Sequence, residues 1–575
     1  MSRTVTRPEP KTNVSPKPVA ATSKESWRDT VEQIVVAFIL AILIRAFDAE
    51  AFVIPTGSMA PTLMGHHKEV ACPQCGFVYT VNAAEEPEGV RRKPPLRVDS
   101  SVCVNCRWTA TGLAEQPSFK GDRILVSKFP FELPFLPGAR PPERWDVVVF
   151  RYPEEPETNY IKRLVGLPGE LLRIHYGDIL TRAAEAEPFT IRRKPTAHQR
   201  AMQMNVNDDR HRPTALAQRP EWTRWKGEKG FSETSPGTFQ AEEKADSELR
   251  YRHLIPDPDQ WSELAAGQTP AKSPKASLIT DFYSYNTGIL AGSPRNWDSS
   301  WRQPHWVGDL TTSFDLKFDD PKGIVEVELI EGGVSNRCTI DLSDGIVSLS
   351  HGNATLGEPI DLDLKAGQTS RIEFANVDNR LTLWVNGSLP FGEGRTYDDE
   401  GKERPAPTAE DLSPVRIRVR GGMRAAVSGL AVSRDIYYTQ VPGEVDYNGL
   451  WEGREPRNAS DLIDILSDQT HFAWLGTLEP RDYKIGPDRF MMMGDNSPRS
   501  KDGRQWGTRD QLEEDQTNGW DPSIRESWEV PRSLLIGKAF FIYWPHGKPF
   551  GPEIRVGSDW RVPFRPYFER MTLIR

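Results

Sequence analysis

Apolar residues in this chain fall mostly into short runs bounded by turn residues, a pattern typical of a mainly β protein. Residues 121–129 alternate apolar and polar side chains after a Gly-Asp turn, and residues 145–150 form a run rich in β-branched side chains. Residues 160–167 alternate again until a Pro-Gly turn, and residues 490–493 are apolar up to a dense polar turn. We therefore predict a β-strand at each of these four places.

A second series of short strands lies between these regions, separated by turns rich in Gly, Asp and Asn. This spacing is typical of an antiparallel β-sandwich. We predict a sandwich inserted over residues 271–440, followed by a linker at 441–480, and leave residues 181–270 unassigned. The predicted strands are residues 310–318, 324–330, 337–342, 346–350, 370–377, 380–385 and 415–419.

The N-terminal region carries an apolar stretch at residues 31–47. It can span a bilayer if the polar groups at its two ends lie at the interfaces. Six basic residues against three acidic ones precede it, so the positive-inside rule places the N-terminus in the cytoplasm. We predict a disordered cytoplasmic tail at 1–26, a single-pass transmembrane anchor at 27–47 and an extracytoplasmic remainder at the cell (inner) membrane. A cleaved signal peptide and a buried core helix are the alternatives.

The length, the net charge and the placement of the cysteines limit the classes of protein to which this chain can belong. A length of 575 residues indicates several domains. The net charge of −9 disfavours a nucleic-acid partner. Four of the five cysteines fall within one short segment, which is unlike the disulfide framework of a small secreted fold. Cys338 is alone on a predicted strand and is interpreted as a packed apolar residue.

The four clustered cysteines form two C-x-x-C pairs, Cys72 with Cys75 and Cys103 with Cys106. Four thiolates complete the tetrahedral shell of a structural Zn²⁺ and leave no open position for catalysis. We predict a zinc-ribbon-like insertion over residues 67–116 with a structural zinc ion. Two disulfides are the alternative, because the chain is predicted to face an oxidising compartment.

Two residues are candidates for nucleophilic chemistry. Ser58 lies in a tight turn bracketed by Pro55 and Pro61, which could present its hydroxyl to a ligand. Lys162 lies beside apolar residues on a predicted strand, where desolvation lowers the pKa of an amine and lets it accept a proton. Read singly, they are an ordinary turn serine and a surface lysine. The sequence has no G-x-S-x-G elbow in a strand-turn-helix setting and no H-E-x-x-H motif, and none of its histidines lies in a recognisable motif. A Ser-His-Asp triad therefore has no support, whereas a neutral lysine can accept the proton of a serine hydroxyl.

Four stretches, in this order, resemble the conserved boxes of bacterial type I signal peptidases. The resemblance covers about residues 1–180 and 481–575, and it implies a β-rich catalytic domain made of 48–66, 117–180 and 481–575. The stretches are Pro-Thr-Gly-Ser-Met at 55–59, Gly-Asp-Arg-Ile-Leu-Val at 121–126, Tyr-Ile-Lys-Arg-Leu-Val-Gly-Leu-Pro-Gly-Glu at 160–170, and Gly-Asp-Asn-x-x-x-Ser-x-Asp-x-Arg at 494–504.

The resemblance implies a role for each matching residue. Ser58 would be the nucleophile and Lys162 the general base, oriented by a hydrogen bond from Ser500. The hydroxyl of Thr56 would join the Ser58 backbone N–H in the oxyanion hole, although the family often has Ser there, as it does at Gly503. No cofactor is expected for catalysis. The residues expected to support the site are Arg163, Asp495, Asp502 and Arg504.

The function implied by this resemblance is that of a membrane-bound serine endopeptidase. It would remove N-terminal signal peptides from exported preproteins, with small residues preferred at the first and third positions before the cut. Its partners would be these signal peptides and the lipid bilayer. Two alternatives stay open: a Ser/Lys protease with another target, and a surface-binding protein in which the sandwich carries the function. Residues 380–387 loosely resemble a strand of laminin-G or concanavalin-like jelly rolls.

Overall fold

The computed structural model of this chain describes residues 30–37, 49–86, 97–128, 131, 140–242, 246–291, 304–398, 406–441, 456–506, 528–556 and 560–575. The chain divides into two units, Met1–Glu50 and Ala51–Arg575. In the first unit, residues 30–37 are helical. None of the helices in the described ranges has the length and apolarity needed to cross a membrane. The predicted tail and most of the predicted anchor lie outside the described residues.

A seven-stranded sheet contains the four strands predicted first from the sequence, and we call it the catalytic sheet because the resemblance implies that these strands belong to a catalytic domain. Along the strand Val147–Tyr152, Val147 and Val149 join one apolar cluster, while Val148 and Phe150 join another. This alternation follows from the two-residue period of a strand, and it places a core on each face of the sheet. In spatial order the strands are Ala49–Val53, Arg123–Ser127, Leu535–Trp544, Val147–Tyr152, Glu155–Gly166, Arg489–Met493 and Glu529–Pro531.

Smaller sheets complete this part of the molecule. A four-stranded sheet has the order Thr190–Ile191, Asp178–Arg182, Leu171–His175 and Arg481–Lys484. It packs around a cluster that includes Trp145 and Met491. A two-stranded sheet near the C-terminus pairs Gly547–Val556 with Trp560–Pro566.

Two eight-stranded sheets form the predicted antiparallel sandwich, and their inner side chains share one apolar core. The seven strands predicted within residues 310–419 are present, with bounds shifted by a few residues. The sandwich also takes strands from residues 204–251, in the region left unassigned. One sheet contains Met204–Asp208, Phe231–Ser235, Thr238–Ala241, Leu310–Phe318, Thr369–Asn376, Arg380–Val385, Arg395–Thr396 and Ala425–Arg434. The other contains Trp225–Lys229, Ser247–Tyr251, Ile324–Glu331, Val334–Asp341, Ile346–His351, Ala354–Thr355, Ile360–Asp361 and Val415–Arg420.

The four clustered cysteines lie at the tips of two hairpins. His67–Ala71 pairs with Val78–Asn82, and Val98–Val102 pairs with Thr109–Thr111. Ile289–Leu290 adds a third strand beside Val98–Val102. Each C-x-x-C sequence therefore occupies the turn between two paired strands.

The described helices are short, and three of the α-helices lie in regions for which no element was predicted, residues 181–270 and 441–480. The predicted linker contains the helix Ala459–Leu466 and the 3₁₀ segment Gln469–Thr477. Leu462, Leu466 and Phe472 pack in a core with residues of the insertions, so this stretch is structured packing and not only a connection. The other α-helices are Thr196–Met202, Pro258–Ala265 and Gly503–Trp506.

Candidate functional site

Ser58 and Lys162 come together although 104 positions separate them. Ser58 lies in the 3₁₀ turn Gly57–Met59 and is buried, and Lys162 lies on the interior strand Glu155–Gly166, here called the lysine strand. Lys162 Nζ is 2.7 Å from Ser58 Oγ, which is hydrogen-bond distance. Its only other described hydrogen bond goes to the carbonyl of Ile161, at 3.1 Å. The amine therefore faces the hydroxyl directly.

Burial shifts the pKa of the Lys162 amine toward neutral pH, which favours its action as a base. Desolvation lowers the pKa of Lys162 to about 8, while the carboxylates of Asp502 and Asp495 act in the opposite direction. Each of these carboxylates is paired with a buried arginine, Arg504 or Arg163, at 2.6 to 2.7 Å. These cations offset the negative charge near Lys162, so desolvation remains the dominant influence on its pKa.

Arg163 and Asp495 form a buried bidentate ion pair. Arg163 Nε and Nη2 donate to the two carboxylate oxygens of Asp495, each at 2.7 Å, and both side chains have no exposed area. Arg163 Nη1 also donates to the carbonyl of Trp145 at 2.6 Å, and Thr62 Oγ1 donates to Asp495 at 2.5 Å. The pair thus joins the strand Glu155–Gly166, the polar turn after Met493 and the segment just beyond Ser58.

Asp502 and Arg504 form a second buried pair. Arg504 donates to both carboxylate oxygens of Asp502, at 2.9 and 2.6 Å, and Gly494 N donates to the same carboxylate at 2.9 Å. The remaining guanidinium nitrogen donates to Thr439 O at 2.7 Å and to Ser497 Oγ at 2.8 Å. Burial alone would raise the pKa of Asp502, but the Arg504 charge and these hydrogen bonds hold it below its ordinary value.

The polar turn also holds the backbone of the turn Gly57–Met59, which we call the nucleophile turn after the role predicted for Ser58. Asn496 N donates to Ser58 O at 3.0 Å, and Asn496 Nδ2 donates to Gly57 O at 3.0 Å. Gly494 permits this approach: a Cβ there would lie 2.4 Å from Ser58 O and 2.2 Å from Ser500 Oγ. Only glycine therefore fits at position 494, because a Cβ has no room there.

Two residues predicted to act at the site, Ser500 and Thr56, have a less direct relation to the Ser58–Lys162 pair. Ser500 is buried next to Gly494, but no described hydrogen bond joins it to Lys162, so its orienting role stays a prediction. Thr56 is exposed at the start of the nucleophile turn, with no capping hydrogen bond from its side chain. Its part in an oxyanion hole also stays a prediction.

Several residues of this network were missed from the sequence. Asn496 and Ser497 lie inside the 494–504 stretch and Thr62 lies three residues after the 55–59 stretch, so their polar side chains close to Asp495 and Ser58 were a usable signal. Thr439, which accepts a hydrogen bond from Arg504, had no local signal, because it comes from the far end of the inserted sandwich. Its position depends on the fold of the whole insertion.

The four cysteine sulfurs are gathered at one point. All lie within 4.8 Å of one another, with Cys72 Sγ 3.5 Å from Cys106 Sγ and Cys75 Sγ 3.8 Å from Cys103 Sγ. Four thiolates at about 2.3 Å from a Zn²⁺ would be about 3.8 Å apart, whereas a disulfide holds its sulfurs at about 2.0 Å. All four are buried free thiols, so the donor set fits a tetrahedral metal ion.

Comparison with known proteins places the lysine strand in a recognisable family segment. Residues 108–223 match the family model described as signal peptidase, peptidase S26, a stretch that contains Lys162 and Arg163. The Pseudomonas aeruginosa protein named signal peptidase I is 54% identical over 59 residues, covering 9% of this chain and 21% of that protein. The Rickettsia bellii protein of the same name is 28% identical over 153 residues, covering 27% and 37%.

A solved structure with some likeness to this chain is a carbohydrate-binding module from Bacillus subtilis, CBM66, with a TM-score of 0.21 and 8% identity. It covers 37% of this chain and 96% of that chain, a likeness too low to carry an inference about ligands. The chain spans only 21% and 37% of the length of the two curated relatives. This mainly β protein is therefore similar to the signal peptidase S26 family over part of its length, residues 108–223.

Proposed function

We propose that this protein is a serine endopeptidase that removes signal peptides from exported preproteins. The observation that carries the proposal is the 2.7 Å approach of the buried Lys162 amine to the Ser58 hydroxyl. The family match over residues 108–223 and the four collinear signature stretches support the same activity. The proposed substrates have small residues at the first and third positions before the cut, as the resemblance implies.

In the proposed mechanism, Ser58 Oγ attacks the carbonyl carbon of the scissile peptide bond while neutral Lys162 accepts the hydroxyl proton. Lys162 then gives this proton to the leaving amine, which breaks the C–N bond and leaves an ester on Ser58. A water molecule, deprotonated by the same amine, hydrolyses the ester. The backbone N–H of Ser58 and the hydroxyl of Thr56 would donate to the oxyanion.

The proposed location follows from the apolar stretch at residues 31–47 and from the substrate. We place the N-terminus in the cytoplasm, the stretch in the bilayer and the catalytic sheet outside, where the cleavage site of a membrane-embedded signal peptide emerges. A bilayer-held enzyme and a bilayer-held substrate would meet by diffusion in two dimensions. No nucleic-acid partner is proposed, because the net charge is −9.

The direct test is to incubate the purified full chain with a preprotein that has Ala at the first and third positions before its cleavage site. We expect one cut, located by mass spectrometry at the end of the signal peptide. A matched preprotein with bulky residues at these two positions should resist cleavage. Intact preprotein after prolonged incubation in detergent or vesicles would contradict the proposal.

The pH dependence of cleavage should report the titration of Lys162. Because the amine must be neutral to act as a base and its pKa is lowered to about 8, kcat/KM should rise as the pH increases through 8 and level off above it. Initial rates at substrate concentrations below KM, between pH 6 and pH 10, would measure this profile. A rate that is flat over this range, or that falls on crossing pH 8, would contradict a lysine base.

We also propose that Cys72, Cys75, Cys103 and Cys106 hold a structural zinc ion. The sulfur separations near 3.8 Å support a shared metal ion over two disulfides. The ion would join the tips of the two hairpins and take no part in catalysis, because four thiolates fill its coordination shell.

Metal analysis of the purified protein should find about one zinc per chain. Cys72→Ser should lose the metal, because a hydroxyl is a much weaker zinc ligand than a thiolate. Cys338→Ala is the matched control, since this buried cysteine lies apart in the sandwich core, and it should keep the metal. A chain without zinc whose four clustered thiols are all oxidised would overturn the proposal in favour of disulfides.

A further inference from the structure

A short turn of the insertion packs directly against the nucleophile turn. The 3₁₀ turn Ser284–Asn286 precedes the sandwich strand that begins at Leu310. A Cβ added to Gly57 would lie 2.1 Å from Tyr285 Cε1, so the tyrosine ring covers the backbone just before Ser58. Tyr285 is fully buried. The catalytic sheet alone therefore does not complete the surroundings of the nucleophile.

The next residue makes a reciprocal amide pair with the polar turn. Asn286 Nδ2 donates to Asn496 Oδ1 at 2.7 Å, and Asn496 Nδ2 donates to Asn286 Oδ1 at 2.9 Å. Asn496 Nδ2 also donates to Gly57 O, and Asn496 N donates to Ser58 O. The pairing thus fixes the orientation of the side-chain amide that holds Gly57 O, on the residue whose backbone N–H holds Ser58 O.

The turn itself is held from behind. Ser284 Oγ donates to Val102 O at 2.7 Å, and Val102 N donates to Thr287 Oγ1 at 2.9 Å. Arg434 Nη2, at the end of a sandwich strand, donates to Asp281 O at 2.7 Å. The cysteine hairpin and the sandwich therefore both hold the segment that carries Tyr285 and Asn286.

We propose that Tyr285 and Asn286 are positioning residues that the insertion supplies to the nucleophile turn. They hold the Gly57–Ser58 backbone so that Ser58 Oγ stays within reach of Lys162 Nζ. This inference rests on the proposed function of Ser58. Misplacement of a reacting group by about 1 Å can cost about 100-fold in rate, so loss of one of several restraints should have a measurable effect on kcat.

The test compares Asn286→Ala with Asn336→Ala, which removes a buried sandwich asparagine that is hydrogen-bonded to His351. We expect Asn286→Ala to lower kcat for preprotein cleavage about tenfold, with KM nearly unchanged and a melting temperature close to that of wild type. Hydrogen exchange of the backbone amides at residues 57–63 should become faster. Asn336→Ala should change neither kcat nor the hydrogen exchange of residues 57–63. Wild-type kcat and wild-type exchange in Asn286→Ala would overturn the inference.

A double-mutant cycle tests whether the amide pair acts as one unit. The double variant Asn286→Ala/Asn496→Ala should be no slower than Asn496→Ala alone, because both changes remove the same restraint. Effects that multiply would contradict the pairing. If Asn286→Ala proves poorly folded, Asn286→Asp keeps the shape but places an oxygen against Asn496 Oδ1, and the same loss of kcat is expected.

The exchange measurement needs no substrate, so it separates two failures. If wild-type protein cleaves no preprotein while Asn286→Ala still loosens residues 57–63, the proposed function is wrong and the restraint is real. If wild-type protein cleaves but Asn286→Ala changes neither kcat nor exchange, the positioning role is wrong and the proposed function stands.

Discussion

Lys162→Met is expected to lower kcat/KM for a preprotein by about 10⁴-fold, the upper range for loss of a general base. Methionine keeps the length and the apolar stem of the lysine side chain but offers no proton acceptor to Ser58 Oγ. Among the described residues, no other basic side chain is hydrogen-bonded to that hydroxyl. Quantitative cleavage assays with a fluorescent preprotein would measure the loss.

The same substitution should leave the protein folded. Lys162 is 4% exposed and its amine is desolvated, which costs free energy that an apolar side chain does not incur. Its melting temperature should therefore equal or exceed that of wild type. A loss of cleavage with retained stability would identify the lysine as a site residue whose position is unfavourable for stability.

Three variants make this result specific. Ser58→Ala should be as inactive as Lys162→Met, and the double variant should be no worse than either, because the two groups act in one step. Lys484→Met, at an exposed lysine on the strand Arg481–Lys484 of the four-stranded sheet, is the matched control and should keep full activity. Lys162→Met with more than about a hundredth of wild-type kcat/KM would exclude the lysine as the general base.

The catalytic core was largely predictable from the sequence because its information is local. The strands carry a two-residue alternation, and Ser58, Lys162 and the 494–504 turn lie in short stretches with distinctive residue order. Their approach in space could be inferred only from the family resemblance. The two turns that carry the cysteines were equally predictable from the sequence, because the C-x-x-C spacing directs two sulfurs toward one point.

The regions that were missed depend on contacts between distant parts of the chain. In the strand Phe231–Ser235 only the first residue is buried, so the usual alternation is absent and the strand is recognisable only beside its neighbours. Tyr285 contacts Gly57, and Asn286 pairs with Asn496, only because of how the insertion folds. No local sequence pattern predicts these two contacts.

The helix Ala459–Leu466 is a different case, because a local signal was present. Asn458 Oδ1 accepts a hydrogen bond from Asp461 N at 2.9 Å, which is an N-cap, and the apolar positions Leu462, Ile463 and Leu466 follow the helical period. The capping residue and the spacing were both visible in the sequence, and the region could have been predicted as a packed helix instead of a linker.

Asp495→Ala is expected to destabilise the folded protein by about 3–5 kcal/mol. The change removes the only side-chain carboxylate to which the described hydrogen bonds join Arg163, and a guanidinium with no exposed area loses its bidentate partner in the protein interior. Thr62 Oγ1 would also lose its acceptor. Urea denaturation followed by intrinsic fluorescence would compare the free energies of unfolding of wild type and variant.

Two controls separate loss of an ion pair from burial of an unpaired charge. Asp482→Ala breaks a bidentate pair with Arg173, at 2.7 and 2.8 Å, but both side chains are about one-third exposed, so the cost should stay within about 1 kcal/mol. The double variant Arg163→Met/Asp495→Leu removes both buried charges and should recover much of the lost stability. If Asp495→Ala costs no more than Asp482→Ala, the buried pair does not hold the polar turn against the strand Glu155–Gly166. The Asp502–Arg504 pair and the hydrogen bonds of Asn496 must then maintain the geometry around Lys162.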